Sequence, residues 1–208
     1  MRAEIDDLIA RIRTLETELE DRLAERRRAF GYRMRQGRIV ISRRVRKRQQ
    51  ALKIGLHRYL FASGVMAVLT APFIYAVVLP ITALDAFASL YQSICFRVYG
   101  LARVRRRDYV VFDRHKLPYL NVIQKLNCLY CAYANGVLAY VAEIASRTEQ
   151  YWCPIKHAAR VAGTHRRYDG FLEYGDVADY PEGLEGQRQQ LKQELEAGNA
   201  KTPPEGGV

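Results

Sequence analysis

The apolar positions of this chain are concentrated in one block that begins after Arg58. Residues 59–84 are 26 consecutive positions without a charge, and 11 more uncharged residues follow the single Asp85. About 20 apolar residues cross a bilayer as a helix, so the block is long enough for two crossings. We therefore predict a membrane hairpin over residues 59–99.

The turn of this hairpin is expected at Leu79-Pro80, between arms at residues 59–78 and 81–99. Proline disfavours the helical conformation of the residue before it and ends or kinks a helix. Asp85 would then lie near the outer interface, where a carboxylate costs less than at mid-bilayer. A shallow hairpin that dips into one leaflet is the alternative, because the turn is tight. Both arrangements leave the two termini in the cytoplasm.

Basic residues flank the apolar block on both sides, and the formal net charge is +11. Positive loops stay in the cytoplasm, which favours two crossings over one. The expected partner is an anionic lipid membrane, and nucleic acid is disfavoured because the clusters adjoin the apolar block. The residues expected at the membrane surface are Arg43, Arg44, Arg46, Lys47, Arg48, Arg105, Arg106 and Arg107.

Residues 1–30 predict an amphipathic helix of the coiled-coil type. Five apolar residues recur at alternating steps of three and four among charged side chains. They are Ile5, Leu8, Ile12, Leu15 and Leu19. The stripe favours either a homodimer through residues 5–23 or packing of the helix on its own chain. A basic juxtamembrane connector follows over residues 31–58.

Residues 100–170 are predicted to form a cytoplasmic helical region that carries the candidate chemistry. Pro118 suits a first helical position, and apolar residues recur at helical spacing after it. Asn135-Gly136 is one expected break in this helix. Leu126-Asn127 is another, because Asn127 can cap a new helix.

Three cysteines and one histidine of this region have the spacing of a metal site. They read C-x2-C-x21-C-x3-H, which is a tetrahedral Zn²⁺ ligand list. The chain has no recognisable export signal, so reduced thiols are expected rather than disulfides. Zn²⁺ is the favoured ion and an iron–sulfur cluster the less favoured cofactor. The predicted ligands are Cys128, Cys131, Cys153 and His157.

The spacing of the two half-sites limits how they can meet. A straight helix would separate Cys131 from Cys153 by roughly 33 Å, so a site within one chain needs irregular structure between them. The same spacing permits a site shared across an antiparallel dimer. It also permits a smaller pairing of His115 with Cys153 and His157.

Two other interpretations of Cys128 and Cys131 remain open. A helix capped by Asn127 would place Cys128 at its positive end, where a redox-active thiolate is favoured. Alternatively, both cysteines are small apolar residues of a helical core. The sequence contains no G-x-S-x-G, Gly-rich phosphate loop or H-E-x-x-H motif, and its carboxylates show no pairing typical of acid/base catalysis.

The motifs "LNCLYC" and "YWCPIKH" lie in a stretch, roughly residues 56–170, that resembles a family of uncharacterised bacterial membrane proteins. The resemblance implies a protein of the bacterial inner membrane. It implies no activity and no catalytic residues, so the predicted site rests on residue spacing alone.

Together these patterns predict a mainly α protein with an N-terminal coiled-coil-like helix, a membrane hairpin and a Cys/His helical region. Residues 171–208 are expected to be loop, a short polar helix over residues 184–197 and a disordered tail. The leading functional hypothesis is a membrane-anchored, non-catalytic metal-binding protein. A membrane thiol–disulfide oxidoreductase and a membrane scaffold with structural cysteines are the alternatives.

Overall fold

The computed structural model describes most of the chain, namely residues 2–29, 32–35, 38–176 and 180–200. The described part is mainly helical, which confirms the predicted fold class at that level. The predicted disordered tail lies outside the described residues. Two compact units are present: an N-terminal unit of residues 1–62 with 115–125, and a second unit of residues 63–114 with 126–208.

The N-terminal unit begins with the predicted helix, Arg2–Ala29. Ion pairs one turn apart support this helix, such as Asp7 with Arg11 at 3.0 Å. Its apolar stripe is exposed at the side chains that the structure describes, including Leu8 and Leu15 at 58% and 63%. The predicted homodimer through residues 5–23 stays a prediction.

An antiparallel hairpin follows, which the sequence pattern did not indicate. Its strands are Tyr32–Arg35 and Arg38–Ile41, with Tyr32 opposite Ile41. Two short helices complete this part of the chain, Arg43–Ala51 and Leu56–Ser63. The first of them is capped by Ser42, whose Oγ accepts a hydrogen bond from the Val45 amide at 3.4 Å.

The predicted membrane hairpin is wrong, because the chain does not reverse at Leu79-Pro80. Residues Val65–Tyr99, all of them described, form one long helix of 35 residues, here called the apolar helix. Val77, between its two main segments, has right-handed helical dihedrals of −61° and −19°. Pro72 and Pro80 therefore interrupt single hydrogen bonds without turning the chain, as prolines inside long apolar helices do.

The second long helix is Val122–Trp152, here called the central helix. It begins later than the predicted Pro118 and has no break at Asn127. Its start is a reciprocal cap: Asn121 Oδ1 accepts from the Gln124 amide, and Gln124 Oε1 accepts from the Asn121 amide, both at 2.9 Å. This capping box satisfies amides that the first helical turn leaves without partners.

The expected break at Asn135-Gly136 is also absent, because Gly136 serves a close packing contact. A Cβ atom at this position would lie 2.8 Å from the Tyr109 carbonyl oxygen and 2.9 Å from Val110 Cα. Only glycine lets the backbone of residues 109–110 approach the helix this closely. The helix therefore continues through the residue pair that the sequence marked as a turn.

The apolar helix and the central helix pack side by side and run in the same direction. Near the beginning of the contact, the Tyr75 hydroxyl donates to Asn127 Oδ1. In the middle, Ser89 Oγ lies 3.1 Å from the Tyr140 hydroxyl oxygen. Near its end, the rings of Tyr99 and Trp152 meet edge to face at 5.4 Å. Residue numbers rise together along both helices, so the pair is parallel.

Residues 100–114, here called the return segment, lead back along this helix pair without forming a long helix. The Val104 amide donates to Gln92 Oε1 at 3.0 Å, and Arg106 reaches Asp85 further back. Val110 then packs with Ile81. The order of these contacts shows that the return segment runs antiparallel to the apolar helix.

The C-terminal helix, Tyr180–Ala200, packs on the last turns of the central helix. It covers and extends the polar helix predicted over residues 184–197. Gln150 is buried and donates to Gln187 Oε1 at 2.9 Å, and Leu191 joins the core around Phe96. The hydrophobic core of this unit therefore joins two helices, the return segment and the C-terminal helix.

Candidate membrane face and cysteine sites

One side of the apolar helix carries bulky apolar side chains along its whole length. These residues, here called the outer face, repeat at helical spacing and are exposed, most strongly Phe73 at 77% and Val98 at 75%. The members of the outer face are Met66, Leu69, Phe73, Leu84, Phe87, Ile94 and Val98. A solvent-exposed apolar surface of this extent is typical of a membrane or protein contact.

The opposite side of the apolar helix changes character along the chain. In its first turns this side bears small or hydroxyl residues, Ala67, Thr70 and Ala71, and Thr70 Oγ1 donates back to the Met66 carbonyl at 2.9 Å. Further along, the same side packs on the central helix through buried residues such as Ile81 and Phe96. The two sides therefore differ from about Ile81 onwards, whereas the first turns are exposed all round and also carry Val68 and Ile74, 51% and 52% exposed.

Two helices of the described chain, the apolar helix and the central helix, are long and apolar enough to cross a membrane. They differ in burial. In the most apolar 18-residue stretch of each helix, 6% is buried for the apolar helix and 33% for the central helix. The apolar helix is therefore the stronger candidate for contact with lipid.

Asp85 is the only charged residue between Arg58 and Arg97. It was expected at a membrane interface, but its side chain is largely buried and accepts three hydrogen bonds from Arg106, at 2.7, 3.0 and 3.1 Å. The Tyr133 hydroxyl donates a fourth at 3.1 Å. These hydrogen bonds to Asp85 raise the pKa of the Arg106 guanidinium. The ion pair fixes the return segment to the apolar helix.

A second charged network joins the C-terminal elements. Arg167 donates to Glu143 at 3.0 Å and to Glu194 at 2.8 Å, and Arg147 donates to Glu143 at 2.8 Å. Burial alone would lower the pKa of the Arg167 guanidinium, but its bonds to Glu194 and Glu143 raise it above the usual value. The network holds three separate segments together, and the sequence pattern did not indicate it.

The basic residues predicted at the membrane surface have different environments. Five of them, Arg43, Arg44, Arg46, Lys47 and Arg48, lie exposed on the short helix Arg43–Ala51. Arg105 and Arg107 are exposed in the return segment. Arg106 is paired with Asp85, and its side chain is 44% exposed. Contact of any of them with a membrane stays a prediction.

The predicted metal ligands fall into two pairs at opposite ends of the central helix. Cys128 and Cys131 lie one turn apart near its beginning, and Cys153 directly follows its last residue. All three thiols are free, and Cys131 and Cys153 are exposed. Because the helix is continuous, the two pairs are roughly 33 Å apart along its axis.

A four-ligand site within one chain is therefore not formed. No group of three or more His, Cys, Asp or Glu side chains in the described residues could hold a metal ion. Metal binding stays a prediction, in the form of a site shared between chains. The smaller pairing of His115 with Cys153 and His157 stays a prediction.

The histidines of the second unit have protein partners. His157 stacks on the Tyr168 ring at 6.2 Å and is exposed, and His165 Nε2 lies 2.9 Å from a Glu149 carboxylate oxygen. His165 therefore ties the loop after Cys153 to the central helix.

One argument for the redox interpretation does not agree with the structure. It required a helix that begins at Asn127, but Cys128 lies inside the central helix, more than one turn after Val122. The Asn127 side chain accepts a hydrogen bond from the Tyr75 hydroxyl and does not cap a helix. The helix N-terminus therefore does not act on Cys128, although the one-turn spacing of the two thiols is as predicted.

Comparisons with protein-family models, with curated proteins and with solved structures returned no match to this chain. The resemblance to a family of bacterial membrane proteins stays a prediction.

Proposed function

We propose that this protein is a non-catalytic membrane attachment module whose apolar helix lies in the plane of one bilayer surface. The main support for this proposal is the outer face, because it supplies bulky apolar side chains along the whole helix. A helix of this kind buries its apolar side about 5–10 Å into the boundary between headgroups and acyl chains. The central helix, the return segment and the C-terminal helix then form the aqueous side.

The direction of the two long helices argues against two crossings. Parallel neighbours that both cross the bilayer would need the chain between them to return through the lipid. That chain has no long helix, and hydrocarbon does not tolerate exposed irregular backbone. It also carries charges that are costly in lipid. Those of the return segment are Arg103, Arg105, Arg106, Arg107, Asp108, Asp113 and Arg114.

The length of the apolar helix supports the in-plane arrangement. Its 35 residues extend over about 52 Å, whereas the hydrocarbon core is about 30 Å thick. The outer face is apolar and exposed over this whole length. Its other side carries Asp85 and Gln92. The polar groups of these two side chains form hydrogen bonds with the return segment, so this side does not face lipid in the proposed arrangement.

An in-plane helix keeps both ends of the chain on one side of the membrane. This agrees with the basic residues on both flanks of the apolar block, which favour the cytoplasmic, anionic surface. The proposed location is the cytoplasmic face of the bacterial inner membrane. The proposed role is to hold the helical and basic parts of the chain at that surface, as a scaffold for partners.

The attachment is tested by flotation of the purified protein with phosphatidylcholine–phosphatidylglycerol vesicles. The double variant Phe73→Glu/Phe87→Glu places two charges on the outer face. Each phenylalanine contributes about 1.5–3 kcal/mol when its side chain leaves water, so vesicle binding should fall at least about 100-fold. Circular dichroism of the variant confirms that it keeps its helices.

Tyr174→Glu is the matched control, because Tyr174 is 69% exposed, close to the 71% of Phe87, but lies in a loop outside the apolar helix. It should float like the unaltered protein. If the double variant also floats unchanged, the outer face does not contact lipid and the proposed attachment is wrong.

A further inference from the structure

We propose that two copies of this chain pair antiparallel through one exposed face of the central helix and complete two Zn²⁺ sites between them. This face, here called the free face, consists of residues at helical spacing that the structure leaves exposed. Its members are Cys131, Asn135, Leu138, Ala142 and Ala145. The proposal is independent of how the chain attaches to a membrane.

The other sides of the central helix are already occupied. Val137 and Tyr140 are buried in the core that the apolar helix shares. Gly136 packs on the return segment, and Gln150 bonds to the C-terminal helix. The free face therefore remains as the side on which another helix can dock along the central helix.

The register of such a pair follows from the positions of two cysteines. Cys131 and Cys153 are 22 residues apart, which is about six helical turns, so both lie on nearly the same side of the helix. The amide of Cys153 still donates to the Glu149 carbonyl at 2.7 Å, so helical geometry extends to it. Ala142 lies eleven residues from each cysteine.

A two-fold axis through Ala142 therefore brings Cys131 of each copy opposite Cys153 of the other. Small side chains at the crossing allow helix axes to approach to about 8–10 Å. Ala142 and its exposed neighbours Ala139 and Ala145 meet this requirement. Under this symmetry Ala139 faces Ala145, and Leu138 supplies apolar contact beside them.

Each end of the pair then holds a complete ligand set. One copy contributes Cys128 and Cys131, which are one turn apart. The other contributes Cys153 and, from the extended segment that follows it, the exposed His157, whose ring turns from Tyr168 to the metal. Three thiolates and one imidazole form a recognised tetrahedral Zn²⁺ site. Each thiol releases its proton to solvent when the metal binds, and no oxidant or reductant is needed.

The pairing is compatible with the proposed membrane arrangement. The apolar helix is parallel to the central helix, so an antiparallel pair directs the two apolar helices oppositely. Helices that lie in the membrane plane permit this, because a two-fold axis normal to the membrane keeps both in the same plane.

The metal site is tested by zinc content of the full-length protein, purified in detergent and incubated with Zn²⁺ before desalting. We expect about one Zn²⁺ per chain, and near-complete loss in Cys128→Ser/Cys131→Ser and in Cys153→Ser/His157→Ala. Cys95→Ser is the matched control, because Cys95 is a free cysteine in the apolar helix, and it should keep its zinc. Unchanged zinc in either double variant, or no zinc in the unaltered protein, would overturn the proposal.

Complementation distinguishes a shared site from a site within one chain. The two double variants, carrying different affinity tags and isolated together through both tags, form mixed dimers. Each mixed dimer contains one intact ligand set, so zinc per chain should recover to about half of the unaltered value. No recovery in the mixed dimer contradicts the shared site, even if each variant is correctly folded.

The register itself is tested by crosslinking of the zinc-loaded protein, which keeps the three ligand cysteines and carries Cys95→Ser, with the protein lacking a further cysteine as the baseline. Ala142→Cys places identical residues across the two-fold axis, so mild oxidation should give a covalent dimer. Leu126→Cys, at a position that is 53% exposed on the same helix, should not crosslink because residue 126 does not face its own copy. Equal crosslinking of both variants, or of neither, would refute the antiparallel register.

Discussion

Gly136 shows at the scale of one residue why a sequence pattern can indicate the wrong structure. Asn-Gly pairs are frequent in turns, which is why a break was expected there. The residue is instead glycine because the backbone at Tyr109 and Val110 packs against the helix at that point. This requirement comes from a segment more than twenty residues away, so it cannot be recognised from local sequence.

Gly136→Ala should destabilise the protein, since the added Cβ would meet the backbone at 2.8–2.9 Å. Backbone atoms cannot move aside as the end of a side chain can, so we expect a loss of about 1–3 kcal/mol in the free energy of unfolding. Urea denaturation in detergent, followed by circular dichroism, measures it.

Gly186→Ala is the control for this substitution. Gly186 lies in the C-terminal helix, and a Cβ atom there would have nothing within 4 Å. Alanine favours the helix over glycine by up to about 1 kcal/mol, so this variant should be as stable as the original or more stable. Equal unfolding midpoints for the two alanine variants would contradict the packing role of Gly136.

At the scale of elements, Asp85 and Arg106 explain how an irregular segment is held against a long apolar helix. The sequence shows one carboxylate within a long uncharged block, and such a group needs a partner. Which arginine supplies it depends on the path of the return segment. That path is set by tertiary contacts such as the bond between Val104 and Gln92.

Removing the charge of Arg106 should lower the free energy of unfolding more than removing the charge of Asp85. Arg106→Met leaves a buried carboxylate without its counter-ion, and we expect a loss of about 2–3 kcal/mol in the free energy of unfolding. Asp85→Asn leaves an arginine whose side chain is 44% exposed and can be hydrated, so the expected loss is about 1 kcal/mol or less.

Thermal unfolding in detergent compares both variants with Arg107→Met, which alters the adjacent exposed arginine and should change little. A larger loss in the free energy of unfolding for Asp85→Asn than for Arg106→Met would contradict this prediction.

Hydrophobic pattern predicted the existence of the helices better than their ends or directions. The uncharged block and the periodic stretch after Pro118 are both helical, as expected. The turn at Leu79-Pro80 was wrong because proline interrupts a helix locally and reverses it only when tertiary contacts favour reversal. Here Tyr75, Ser89 and Tyr99 all contact one straight neighbour, the central helix.

At the scale of the whole molecule, the parallel direction of the two long helices was not predictable from composition. Length and hydropathy allow both to cross a membrane, and the parallel direction with a charged link between them is what favours the proposed in-plane arrangement. The spacing of the cysteines implied that their two pairs would be far apart only if the helix between them were straight. The central helix is continuous, so they lie at its opposite ends.

The depth of the apolar helix in a bilayer tests the in-plane account most directly. An environment-sensitive fluorophore is attached to single cysteines that replace Leu69, Leu84 or Val98 of the outer face, in a background without native cysteines. Quenching by lipids labelled at different acyl positions gives the depth of each probe in phosphatidylcholine–phosphatidylglycerol vesicles. The in-plane account predicts three similar, shallow depths within about 10 Å of the headgroups. A helix that crosses would separate Leu69 from Leu84 by about 20 Å along the membrane normal, and depths that differ by this amount would contradict the account.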